Sequence, residues 1–257
     1  MKNIDSYPAE IKTNILAWLS SFEPETFNIY ALIDHSFDPR LIKNLKNKIR
    51  WVSLYQDEGA DVDISPILCH LEDKAHIENH LDLLLHATNG QPMLSFWLSA
   101  LEPEVVYSHF ASYTDVTILP EKLSYMLRYA DTRILPNLLD AMQDEQRALF
   151  LGAFYSGIYF NRAAKMVQLK GGGQLNPNDS PLCITEQQFT QMLDVSQLDQ
   201  IIQQLRKLGL TAELIMSESQ IYTLVKQFCS EAHAAGITDF AELRAYCIEH
   251  FIEITTA

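Results

Sequence analysis

Two histidines four residues apart, His76 and His80 in H-I-E-N-H, fall on a stretch patterned as a helix. There, imidazoles at i and i+4 share a face and could ligate one metal ion. A zinc peptidase helix needs its Glu directly after the first His, where it can act as base. Here Glu78 points elsewhere and no third ligand is indicated, so the pair reads as polar-face histidines. Asp34-His35 closes an apolar strand, and strand ends are where sites gather in α/β sheets. An Asp there also caps the turn that follows, and capping is the preferred reading. Cys69-His70 resembles a thiolate pair, but neighbours on a strand point to opposite faces and cannot act as nucleophile and base. Gly171-Gly-Gly173 lacks the Lys-Ser/Thr of a phosphate-cradling loop and reads as a connector.

Arg40, Lys43, Lys46, Lys48 and Arg50 concentrate positive charge that could grip an acidic partner. Asp57, Glu58, Asp61 and Asp63 follow, so a balanced, solvated face is preferred. The stretch Arg128-Tyr-Ala-Asp-Thr-Arg-Ile-Leu135 is the most informative. Asp131 can accept N–H groups where a strand turns into a helix, and Arg128 and Arg133 lie close enough to pair with carboxylates. Buried, such a network fixes the turn; exposed, it is a forked anion clamp. The structural role is preferred.

Positioning these residues requires a sizeable core. With 47% hydrophobic residues, 10% aromatics and only 9 Gly in 257 residues, the chain can bury one or two lobes. Its net charge of −14 repels phosphate backbones and anionic lipid, so neither nucleic acid nor a membrane is expected as partner. The densest apolar run, Met93–Leu101, is far shorter than the roughly 20 residues of a membrane-spanning helix. The first residues show no secretory signal pattern, and the four cysteines form no C-x-x-C pair, so a reducing, cytoplasmic setting is expected.

Residues 8–22 carry helical spacing, Phe27–Ile33 reads as a buried strand, and a helix is expected over 38–48. Strands are expected at Trp51–Tyr55, Ile64–Leu71, Pro92–Leu98 and Leu123–Tyr129. Helices are expected at 73–87, 102–113 and 132–148, with a hairpin of Ala153–Phe160 and Ala164–Leu169. Alternation of strands and helices implies a mixed α/β lobe, of α+β or α/β class, around a central sheet over residues 1–170. Residues 171–181 concentrate loop formers and are expected to link it to an all-helical lobe over 182–257. That lobe has three helices. Thr185-x-x-Gln188 and Ser217-x-x-Gln220 are capping boxes, Thr238 or Asp239 starts the third helix, and Gly209 and Gly236 are stops.

Four segments in order resemble a known family, the adaptor chaperones of bacterial type VI secretion, whose shared domain carries only a domain-of-unknown-function label. Leu127–Leu135 is similar to its L-R-F-Y-D-P-R-V-L strand and helix start, and Tyr30-Ala-Leu-Ile-Asp34 to its Y-A-L-L-D strand. Ser65–Leu71 is similar to its G-P-x-L-V-x-L strand, and Asn89–Ser95 stands where the family has a Gly-led strand ending near Ser. Ala232–Ile237 resembles the A-x-x-x-G-I turn of its helical portion. Thr132, Ala130 and Ser65 depart from the family's Pro, aromatic and Gly. The resemblance covers residues 27–152 and more loosely the rest.

The resemblance implies a non-enzymatic adaptor without cofactor or metal. It would hold a toxic effector by an N-terminal or PAAR-like region and help load it onto the spike (VgrG-like) protein. Asp34, Arg128, Asp131 and Arg133 match the family's polar positions and are assigned to lobe architecture or to the binding cleft, not to catalysis. Two other functions remain open: an immunity protein blocking a toxin with its acidic surface, and a small α/β enzyme using Asp34 and His35.

Overall fold

The computed structural model describes residues 2–23, 26–45, 48–55, 64–72, 74–173, 177, 180–212 and 214–256. The chain divides into two compact units, Met1–Phe189 and Thr190–Ala257. The first is a mixed α+β unit and the second is helical.

In the first unit β1 (Asn28–Asp34) sits inside a six-stranded sheet. It pairs antiparallel with β3 (Pro66–His70) on one side and β4 (Leu94–Ser99) on the other. The order is β2 (Trp51–Ser53), β3, β1, β4, β7 (Ser156–Phe160), β8 (Met166–Lys170), with every pairing antiparallel. An antiparallel sheet wet on one face would alternate polar and apolar residues; β4 and β7 are buried throughout because both faces are covered. On one face Ile29, Ala31, Ile67, Phe96 and Ile158 pack with Ile15 and Trp18 of α1 (Ile11–Ser20), Leu41 of α2 (Leu41–Leu45) and Leu84 of α3 (Ile77–Thr88). On the other, Trp97 meets Phe110 of α4 (Pro103–Ala111), Phe150 of α6 (Asp144–Gly152) and Phe154 at centroid distances of 5.6, 6.0 and 4.7 Å. Fully burying an aromatic of this size is worth about 2–3 kcal/mol, so the cluster is a major anchor of this layer.

The expected hairpin near 153–169 is β7 with β8. The expected helix over 132–148 is two, α5 (Leu135–Ala141) and α6, because Met142 and Gln143 turn extended and Gln143 then caps α6 with Gln146. The expected strand 123–129 ends at Met126, so β6 is Leu123–Met126, and it pairs with an unforeseen strand, β5 (Asp115–Leu119). A second sheet has the order β6-β5-β9, where β9 (Leu182–Thr185) runs parallel to β5. No strand was expected beyond 181; β9 is only four residues long and half exposed, too short for a pattern to register. The expected linker 171–181 therefore lies inside the first unit, and the division between units falls at Phe189.

α7 (Glu186–Lys207) starts at the expected capping box: the Thr185 N–H donates to Gln188 Oε1 at 2.9 Å. In the second unit Ile201, Ile202 and Leu205 pack with Ile221, Val225 and Phe228 of α8 (Glu218–Ala234) and with Cys247 and Phe251 of α9 (Phe240–Thr256). The Ser217–Gln220 capping box forms, and Asp239 accepts from the N–H groups of Ala241 and Glu242. α8 is closed off by Gly236, two residues past its end, whose φ of +87° lets the Ile237 and Gly236 N–H groups reach back to the carbonyls of Ala232 and His233.

Candidate functional site

β1 delivers Asp34 to the edge of the first unit's core, where the backbone leaves the strand for a short 3₁₀ turn, His35–Phe37. Asp34 Oδ1 accepts from the Ser36 hydroxyl at 2.6 Å and the Ser36 N–H at 3.3 Å. Its Oδ2 accepts from Arg128 Nη2 at 2.8 Å and Nε at 3.1 Å. Arg128 Nη2 also donates to the Ser36 hydroxyl at 2.7 Å. Both carboxylate oxygens are thus satisfied although the Asp34 side chain is only 3% exposed, while 42% of the Arg128 side chain meets solvent. Burial without these donors would cost several kcal/mol, and the pairing is what lets a charged residue end a core strand.

Asp131 and Arg133 form a second pair. Asp131 Oδ1 accepts from the Arg133 N–H at 2.9 Å and from Nε at 3.1 Å, and Oδ2 accepts from Nη2 at 2.7 Å. This fork is almost fully buried, with side chains 1% and 12% exposed. Burial raises the Asp131 carboxyl above its ordinary range, and Arg133 pulls it part of the way back. The Asp131 carbonyl accepts from Ile134 and Leu135 N–H, so this residue shapes the approach to α5 from both its backbone and its side chain. The two guanidinium carbons lie 5.1 Å (Arg128) and 5.3 Å (Arg133) from the centroid of one ring, Phe37, so a single aromatic carries both cations.

The four sequence-derived residues form two pairs near one phenyl ring. Ser36 and Phe37 were missed, and their types alone carry no signal; only their place directly after Asp34 hints at a role. Asp34 is engaged by Arg128 and Ser36. His35 is fully buried, and neither of its ring nitrogens has a hydrogen-bond partner among the described residues. His76 lies at the start of α3, and among the described residues no three His, Cys, Asp or Glu side chains cluster as a metal site. Cys69 faces the core, where burial pushes its thiol up to about 12, while His70 on the opposite face stacks on Tyr30 at 5.1 Å. In the basic run, Arg40 pairs with Asp38 and Arg50 with Glu72. Lys46 and the balancing Asp57, Glu58, Asp61 and Asp63 lie outside the described residues.

An antiparallel sheet covered by helices on both faces, with one arginine–carboxylate fork tying a strand end to a distant loop, defines a small α+β domain. Residues 29–149 match the model of the family described as Domain of unknown function (DUF4123). That family is associated with type VI secretion effectors and their chaperones. No curated protein and no solved structure matches the chain. Among the described residues no helix is long and apolar enough to cross a membrane.

Proposed function

We propose that the chain is a non-enzymatic adaptor. It binds a cognate type VI secretion effector through an N-terminal or PAAR-like region and helps load it onto the spike (VgrG-like) protein from the cytoplasm. The observation that carries this reading is the family match over 29–149, the segment that supplies β1, β3, β4 and both arginine–carboxylate pairs. The state of the polar motif supports it: Asp34 and Asp131 are spent on internal forks, which suits a scaffold holding a surface in shape. Arg128 is the motif member with substantial exposure, and so the one a partner can reach. The charge of −14 steers the chain toward basic protein surfaces and away from nucleic acid and anionic lipid.

The test is co-production with each effector encoded beside the chain, followed by affinity purification. A stoichiometric complex with one of them, surviving 0.5 M salt, is expected. Soluble effectors that never co-elute would overturn the reading, and rescue of cells from the toxin's activity by the chain alone would replace it with an immunity function.

A further inference from the structure

The first unit has a cavity of about 270 Å³ beside the outermost strand β2, on the sheet face that carries Tyr30. Its floor is Leu68 and the stacked Tyr30–His70 rings, and its walls include Val52 and Tyr107, while the Trp51 side chain, opposite Cys69 in the β2–β3 pairing, turns to the other face of the sheet. The Tyr30 hydroxyl donates to the Leu101 carbonyl at 2.9 Å, which anchors the floor to the start of α4.

The charge at the mouth is lopsided. Arg50, the arginine of the lining, is 3.7 Å from Glu72, and His70 Nδ1 is 3.2 Å from the same carboxylate. Glu104, also in the lining, and Glu102 beside it are exposed and make no ion pair among the described residues. Their field reaches the floor: after burial, Glu102 and Glu104 are what hold the Tyr30 hydroxyl above its ordinary range. The N-terminal end of α4 offsets roughly half a charge, against two full carboxylates, so the mouth stays negative.

Aromatic walls around an electronegative mouth suit a cation with a flat apolar face, which stacks on rings while its N–H groups fork to carboxylate oxygens. We infer that this cavity accepts an arginine side chain presented by a partner polypeptide, with the guanidinium stacked on Tyr107 and its N–H groups donating to Glu104. The inference rests on the adaptor reading for the identity of the partner, the effector. The net charge of −14 adds long-range attraction for a basic segment of that protein.

The experiment uses the full chain, ¹⁵N-labelled, and the peptide Ac-Thr-Val-Arg-Val-Thr-NH₂ beside its Gln-for-Arg analogue. The arginine peptide is expected to shift the Val52, Tyr30 and Tyr107 amides saturably, and the Gln analogue to bind at least tenfold more weakly. The double variant Glu102→Gln/Glu104→Gln, both exposed positions that leave the core intact, is expected to lose that difference. Equal binding of the two peptides, no saturable shift at these three residues, or an unchanged difference in the double variant overturns the inference. Effector co-purification is scored separately. Peptide binding without any effector complex removes the adaptor reading and keeps the cavity; an effector complex together with peptide failure does the reverse.

Discussion

Gly157 lies directly across from Trp97 in the β4–β7 pairing, and a methyl group on Gly157 would stand 2.6 Å from the indole ring. The indole lies flat over the neighbouring strand because glycine leaves the space open. Gly157→Ala must move a ring already packed against Phe110, Phe150 and Phe154, so a loss of about 2–3 kcal/mol is expected. Urea denaturation followed by Trp fluorescence measures it, and a loss under about 0.5 kcal/mol would mean that the indole has another place to go.

The two arginines are expected to differ. Arg133→Ala strands an Asp131 carboxylate that is 1% exposed and should cost roughly 3–5 kcal/mol. Arg128→Ala leaves Asp34 with the Ser36 hydroxyl and N–H and lets water into a half-open site, so about 1–2 kcal/mol is expected. Equal losses in chemical denaturation would contradict the difference in burial. Arg128→Ala should therefore yield folded protein, which makes it the usable variant for effector-binding assays.

Acid stability should turn on His109. This imidazole is fully buried with Nε2 3.0 Å from the Phe150 carbonyl, and burial lowers its pKa from 6.5 to about 4. The unfolded chain therefore takes up the proton first. Stability held above pH 6.5 is lost as the pH falls toward 4, by up to about 1.4 kcal/mol per unit. Asp131, raised by burial, acts in the opposite sense, its folded form gaining stability as it protonates. Comparing the wild type with His109→Gln across pH 7.5 to 4.5 isolates the histidine: the variant's denaturation midpoint should fall less steeply, and parallel curves would refute the assignment.

Thiol chemistry offers a further check. Cys183 is exposed, whereas Cys69 is buried with its thiol pushed up to about 12. Cys229 and Cys247 are buried with sulfurs 3.6 Å apart between α8 and α9. Iodoacetamide at pH 8 should label Cys183 alone in the folded chain and all 4 cysteines in guanidinium, read by peptide mass spectrometry. Rapid labelling of Cys229 in the folded state would show that the helical unit opens.

Strong local signals carried most of the fold. β1, β3 and β4 were legible because buried strands are continuous apolar runs bounded by polar residues, and the α8 and α9 starts because Ser217 and Asp239 cap them with their own side chains. β5 and β9 were not, since their alternating burial over four or five residues sits beside helices and is settled by pairing partners far away in sequence. The polar motif was legible by residue type, and Asp131–Arg133 even as a pair, being two residues apart. The union of Arg128 with Asp34, 94 positions away, depends on how the second sheet's hairpin delivers its far end, which no local pattern encodes.

The parallel seating of β9 against β5 changes what the glycine-rich segment before it does. Gly171, Gly172 and Gly173 donate to the carbonyls of Tyr155, Leu151 and Phe154, and by Leu182 the chain is back in a sheet of the same unit. Three successive glycine N–H groups are thereby spent on the turn between α6 and β7, so this run is stitched down and is no swivel.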